Sequence, residues 1–195
     1  MVLKPYQLSN LKEDKFSFFL LYGQNEGQKN DSIYQILKSE NNENVYRYEE
    51  DELLNNYVNF ISEISNKSFF EDKKIFVISR VTEKILALVK DVKERKIEDI
   101  KIIINSKQLD KKSKLRLYFE KEKNLVCIAF YNDDNTTLAN IARKFFDKNK
   151  IPISREMLNL LVERCRGDRI NLNNELSKIE SFIIGKNKIS IDEIL

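Results

Sequence analysis

The stretch FFLLYGQNEGQKNDSIYQIL, residues 18–37, decides how the rest of the chain is read. An apolar run closes at Tyr22, Gly23 and Gly27 follow, and Lys29 stands just before an amphipathic pattern carried by Ile33, Ile36 and Leu37. That is the layout of a strand, a turn and a helix. It also approaches the phosphate-cradling loop G-x-x-x-x-G-K-[ST], where glycines let backbone N–H groups close on phosphates, the lysine neutralises them and the hydroxyl holds magnesium. Counted from Gly23, Lys29 fills the lysine slot, but Gln28 stands in the second glycine slot and Asn30 in that of the hydroxyl. A side chain at position 28 intrudes on the cradle, and an amide at position 30 is a poor magnesium ligand. The strand that should end in a metal-binding aspartate, IKIIIN, ends at Asn105 and continues into Ser106 and Lys107. With these parts missing, Gly23, Gly27 and Lys29 are expected to form a degenerate, non-functional phosphate loop that turns over no ATP.

Outward from this stretch, apolar segments recur at 16–22, 45–48, 74–79, 100–105 and 125–131. Runs such as IIIN and LVCIAF are continuous rather than alternating, which fits strands buried on both faces of a parallel sheet. Helical patterns separate them: Leu54, Val58, Ile61 and Ile64; then Ile85, Leu88, Val89 and Val92; then Leu115 and Phe119. Regular alternation of strand and helix predicts an α/β domain with right-handed crossovers and a five-stranded sheet. After Tyr131 no strand pattern returns. Leu138, Ile141, Ala142 and Phe145 predict one helix; Leu158, Leu161 and Val162 behind an N-cap at Ser154 a second; Leu172, Leu176, Ile179 and Ile183 a third. The expected division is an α/β domain over 1–132 and a small helical domain over 133–195. Ser190 and Glu193 look like a capping box opening one more helix just before the sequence stops.

Composition narrows the chemistry. The chain has no histidine, which removes Ser-His-Asp and Cys-His nucleophilic sites and imidazole metal sites. Cys127 and Cys165 sit in apolar runs without C-x-x-C spacing and read as reduced structural thiols of a cytoplasmic protein. No apolar run is long enough to cross a bilayer, and no signal peptide opens the sequence. A net charge of +3 is too small to mark a nucleic-acid binder by itself, so clustering decides. The densest basic cluster is DKKSKLR, 110–116. Its Lys111, Lys112, Lys114 and Arg116 could meet DNA phosphates, or simply form a solvated helix start. The acids of YEEDE (Glu49, Glu50, Asp51, Glu52) read as a helix N-terminus complementing the helix dipole rather than as a metal site. GDRINLNNEL reads as structural: Asp168, Asn171 or Asn173 can cap the last helix and Glu175 can pair with a nearby cation.

Several segments together, FFLLYGQNEG, SFFEDKKIFVIS, IIINSKQLDKKSKLRLYFEK, LVCIAFYNDD and GDRINLNNELSKIESF, resemble in order and spacing the delta subunit of the bacterial DNA polymerase III clamp loader. The resemblance covers essentially the whole chain. It implies an AAA+-like α/β domain with a degenerate P-loop, then a three-helix lid, then a third, collar domain that is absent from this sequence. It also implies a subunit with no catalytic residues, cofactor or metal of its own, in a holoenzyme whose nucleotidyltransferase activity belongs to the complex. The implied partners are the sliding clamp (beta), which such subunits bind and open at one interface, the motor subunits and delta prime, and DNA through the complex.

Within NKSFFEDKK, Phe69 and Phe70 are adjacent and flanked by charge. Neighbouring side chains rarely face one core, so one ring is either exposed or stapled over a helix end. The resemblance implies that Ser68, Phe69 and Phe70 form the clamp-binding element, the two rings entering a hydrophobic pocket. Two rival readings remain: an active ATPase with a divergent phosphate loop, and a DNA-binding module, which predicts strong salt-dependent affinity for DNA.

Overall fold

Strands that are apolar on every residue must be covered on both sides, and the chain supplies two separate covers. The computed structural model describes residues 1–11, 16–39, 44–66 and 73–183. Its sheet contains β1 (Val2–Leu3), β2 (Phe18–Gly23), β3 (Val45–Glu49), β4 (Lys74–Val81), β5 (Ile100–Ser106) and β6 (Leu125–Phe130) in the order β1-β6-β2-β5-β4-β3. Every neighbouring pair is parallel. The sheet therefore has six strands, not the expected five. The extra strand is a two-residue edge paired Val2 to Cys127 and Leu3 to Ile128, too short to leave a periodic signal.

Successive side chains along each strand point to opposite faces. Phe18, Leu20 and Tyr22 of β2 join Phe76, Ile78, Ile102, Ile104 and Cys127 in one cluster, while Phe19 and Leu21 join Ile75, Val77, Ile103, Val126 and Ile128 in another. The first face is covered by α2 (Glu50–Asn55), α3 (Tyr57–Ser65), α4 (Leu86–Glu94) and α5 (Lys114–Lys121), through Leu53, Phe60, Ile64, Leu88, Val89, Leu115 and Phe119. The second is covered by α1 (Glu26–Ser39), through Ile33 and Ile36, and by Leu8 of a short 3-10 turn.

The helix expected through Leu54, Val58 and Ile61 breaks in two. Asn56, at φ −112 and ψ 32, separates α2 from α3 and shifts the helical phase, so Leu53, Phe60 and Ile64 are buried and Val58 is 78% exposed. Glu50 also departs from the reading of YEEDE. It does open α2, with Asp51 and Glu52 in the same first turn, but its carboxylate is buried and accepts from Thr82 N (3.0 Å), Thr82 Oγ1 (2.7 Å) and Ile85 N (3.1 Å). Among the described residues no group of acids and cysteines could hold a metal ion.

The described chain forms two compact units, Met1–Gln24 with Lys29–Phe130, and Asn25–Gln28 with Tyr131–Leu195. The second contains α6 (Asn135–Lys148), α7 (Arg155–Cys165) and α8 (Arg169–Ile183). Side-chain oxygens start each of these helices: Asp134 Oδ1 accepts from Thr137 N (2.7 Å), Ser154 Oγ from Met157 N (3.1 Å), and Asp168 Oδ1 from Ile170 N (2.7 Å). The core stripe of α6 is Leu138, Ala142 and Phe146, not Phe145, which packs edge-on to Phe146 at 5.4 Å. It meets Leu158, Leu161, Val162, Cys165, Leu172, Leu176 and Ile179. The Ser190/Glu193 capping box lies outside the described residues.

The Glu50 bridge makes a testable demand. Glu50→Ala orphans three donors, and hydrogen bonds to a charged group are each worth about 1.5–3 kcal/mol. The variant should lose about 3 kcal/mol or more in urea unfolding. Glu50→Gln, which keeps an acceptor oxygen, should lose less.

Candidate functional site

The connection between β2 and α1 is short, because the helix begins early. β2 ends at Gly23 and α1 starts at Glu26, leaving Gln24 and Asn25 as the connection. Glu26 and Gly27, loop positions in the phosphate-binding template, lie in the first helical turn. Asn25 caps that turn, its Oδ1 accepting from Gln28 N at 3.0 Å.

Both glycines are explained by close approach of protein atoms. Gly23 has φ +132, and a Cβ there would lie 2.0 Å from the Phe130 carbonyl oxygen. The neighbouring backbone is tied in the same place: Gly23 N donates to Lys107 O (3.3 Å) and Gln24 N to Phe130 O (3.1 Å). A Cβ on Gly27 would lie 2.9 Å from Arg169 Cβ. Glycine at these positions lets β6 and α8 come near, and no phosphate is needed to account for either.

Lys29 is wholly buried, and its Nζ donates to the Ser106 carbonyl at 2.7 Å, where β5 ends. Ser106 Oγ in turn donates to Val81 O at 2.8 Å, joining the carboxyl ends of β5 and β4. The lysine thus latches α1 to the sheet. Asn30 is exposed on α1. Asn105, where an acidic metal ligand was sought, pairs in register with Leu21, and its Oδ1 is buried without a hydrogen-bond partner among the described residues.

Sequence reasoning missed one ion pair in the second unit. Arg169 grips Asp133 with two parallel bonds, Nε to Oδ2 and a terminal guanidinium nitrogen to Oδ1, both 2.7 Å. The side chains are only 11% and 5% exposed. Asn25 Nδ2 adds bonds to Asp133 Oδ2 (2.9 Å) and Tyr131 O (3.0 Å). The two charged partners lie 36 residues apart, so no local spacing announces them. GDRINLNNEL therefore does more than cap: Asp168 starts α8, and Arg169 ties it to the segment after β6.

The basic cluster divides. Lys111, Lys112 and Lys114 are exposed, whereas Arg116 is committed within the fold. Its Nε donates to Glu120 Oε1 at 2.7 Å, and its guanidinium lies 5.1 Å from the centre of the Tyr22 ring. Both cysteines are buried and unbridged, and burial pushes the Cys127 thiol up to about 12, so neither is a poised nucleophile. Ser68, Phe69 and Phe70 lie outside the described residues.

No protein-family model matches the chain, and no curated protein matches it by sequence. Solved structures do. The DNA clamp loader delta protein YqeN of Bacillus subtilis matches with a TM-score of 0.58 at 14% identity, over 97% of this chain and 61% of its own length. Domain III of the replication initiation protein DnaA of Thermotoga maritima matches at 0.53 and 17% identity, over 97% of this chain and 86% of that domain. The RuvB Holliday junction branch migration motor of Thermotoga maritima matches at 0.61 and 12% identity, over 97% of this chain and 65% of the motor. The chain accordingly has an AAA+-like fold: a parallel sheet flanked by helices. It spans less than two thirds of the length of the Bacillus protein.

Two outcomes follow from this geometry. Purified protein should release phosphate from ATP at the background rate. Turnover abolished by Lys29→Ala would contradict the closed loop. Asp133→Ala leaves a mostly buried guanidinium without its carboxylate, a change that costs about 3–5 kcal/mol in buried pairs. Its urea unfolding midpoint should fall accordingly.

Proposed function

We propose that this chain is a non-catalytic clamp-loader subunit that binds a sliding clamp and favours its opened form for loading onto primed DNA. The observation that carries the reading is a nucleotide-loop position closed by the protein's own groups: Lys29 is buried on the Ser106 carbonyl, and Asn25 holds the Gln28 N–H. An AAA+-like fold in this condition suits a subunit that acts by binding rather than by hydrolysis. The likeness to the Bacillus subtilis clamp loader delta protein supports the same choice, and so does the Ser68-Phe69-Phe70 segment. Beta clamp, motor subunits and delta prime are the proposed partners, and control by ATP comes from the motor subunits. The shift toward the open clamp cannot exceed the difference in affinity for the open and closed forms.

Phe69 and Phe70 provide the test. As a wedge, both rings leave water on clamp binding, each contributing about 1.5–3 kcal/mol, and central aromatic anchors reach about 2 kcal/mol or more. Phe69→Ala/Phe70→Ala should weaken clamp binding at least about 30-fold, since each 1.4 kcal/mol is a factor of ten. The melting temperature should stay near that of the wild type. Rings packed in the protein's own core would give the opposite result, a stability loss of about 3–5 kcal/mol for each truncation. A destabilised double variant that still binds the clamp at full strength would exclude the wedge.

A further inference from the structure

The sheet ends in two unlike edges: β1 is two residues long and β3 is five. A long edge strand offers a row of backbone donors and acceptors to any second strand, and proteins commonly blunt it with proline, lysine or a bulge. β3 reads VYRYE, without proline or lysine, and it keeps an unbroken register with β4 from Val45 opposite Ile75 to Glu49 opposite Ser79. Among the described residues nothing pairs with its outer side.

The pairing with β4 decides which groups face outward. Ile75 N donates to Asn44 O at 3.0 Å, so Asn44 turns its peptide groups toward β4, and so by alternation do Tyr46 and Tyr48. Val45, Arg47 and Glu49 therefore carry their N–H and C=O groups to the open side. The side chains alternate as well. Tyr46 and Tyr48 stack on Phe76 over one face of the sheet, whereas Arg47 and Glu49 are exposed and share the other. Arg47 makes no ion pair among the described residues. Glu49 meets Arg80 at 2.9 Å across an exposed surface, a contact of little net worth.

We infer that the outer edge of β3 docks the same strand of a second copy of this chain, antiparallel about a two-fold axis at Tyr48. The charge pattern selects both the occupant and the register. Centred on Arg47, the pair would set that arginine against its own copy, and like charges directly opposite are unfavourable. Centred on Tyr48, it sets Arg47 opposite the partner's Glu49 and Glu49 opposite the partner's Arg47, both as hydrogen-bonded pairs. The two Tyr48 residues then meet at the closer, non-hydrogen-bonded position, where aromatic side chains pair well. A strand with Arg47 and Glu49 two residues apart on one face is its own complement, which an edge bearing a single sign of charge is not. The contact is isologous, closes after two copies and joins two six-stranded sheets into one. It is also small, so the dimer is weak and depends on concentration. This surface stands apart from the clamp-binding reading, because it uses neither Phe69 nor Phe70.

Sedimentation equilibrium of the full chain, at protein concentrations up to about 1 mM, tests it at the weak end of specific association. A monomer–dimer equilibrium is expected. Arg47→Glu and Glu49→Arg, each alone, set like charges opposite one another at two places in the dimer and should weaken it by at least about tenfold. Arg47→Glu/Glu49→Arg together restore opposite charges and should return the affinity to within about threefold of the wild type. Arg47→Pro removes an outward N–H that β4 does not use, so it should abolish the dimer and leave the melting temperature near that of the wild type. A chain that stays monomeric throughout, a dimer indifferent to the single reversals or to Arg47→Pro, or a double reversal as weak as the single ones would each refute the docking.

Discussion

The structure depends on the burial of β2 on both faces. Phe19 and Leu21 point into one cluster, and Phe18, Leu20 and Tyr22 into the other, between β6 on one side and β5 on the other. A register slip of one residue would exchange the two sets, bringing three large side chains to the face that now packs two. With each fully buried side chain worth about 1.5–3 kcal/mol, this strand alone ties both helical covers to one sheet. The same constraint fixes the turn that follows. β2 ends where the Phe130 carbonyl comes so close that only glycine fits, so the path from Gly23 into α1 has little freedom.

Strands with continuous apolar character were legible from sequence because their signal is local. The run IKIIIN became β5 with one further residue, Ser106, and the 45–48 segment became β3 with one further residue, Glu49. β1 was not legible: two residues have no period, and they form a strand only because β6 offers an edge. Val58 was misplaced because a helical wheel assumes an unbroken helix, and the break at Asn56 resets the phase. Phe145 and Phe146 show the same limit at finer scale. Spacing by fours leads from Leu138 and Ala142 to Phe146 and equally from Ile141 to Phe145, and only the packed structure separates the two.

Site residues were legible as far as their environment was local. The missing glycine and hydroxyl at positions 28 and 30 could be read directly. The fate of Lys29 could not, because its acceptor lies 77 residues away on another strand. Glu50 looked like one more acid in a run of four until Thr82 and Ile85, more than thirty residues on, came to its carboxylate. Asp133 and Arg169 were each read, if at all, as parts of polar turns. Nothing in a single sequence marks two distant residues as partners when neither belongs to a spacing that the chemistry requires.

If the loop is inactive, as proposed, its local geometry also limits how this fold could acquire nucleotide chemistry. Glycine at position 28 and threonine at position 30 would restore the letters of the phosphate-loop template. They would not move the start of α1, which is set by the Asn25 cap, nor free an ammonium that is buried against the Ser106 carbonyl. Reopening the loop means unwinding the first turn of α1 and withdrawing Lys29 from a buried hydrogen bond at once. A bound nucleotide would have to supply the free energy of both changes before any catalysis began. On the proposed reading that barrier serves the subunit. On that reading, a chain without a nucleotide-driven cycle of its own would present one fixed surface to its partners, with timing left to the proposed motor subunits.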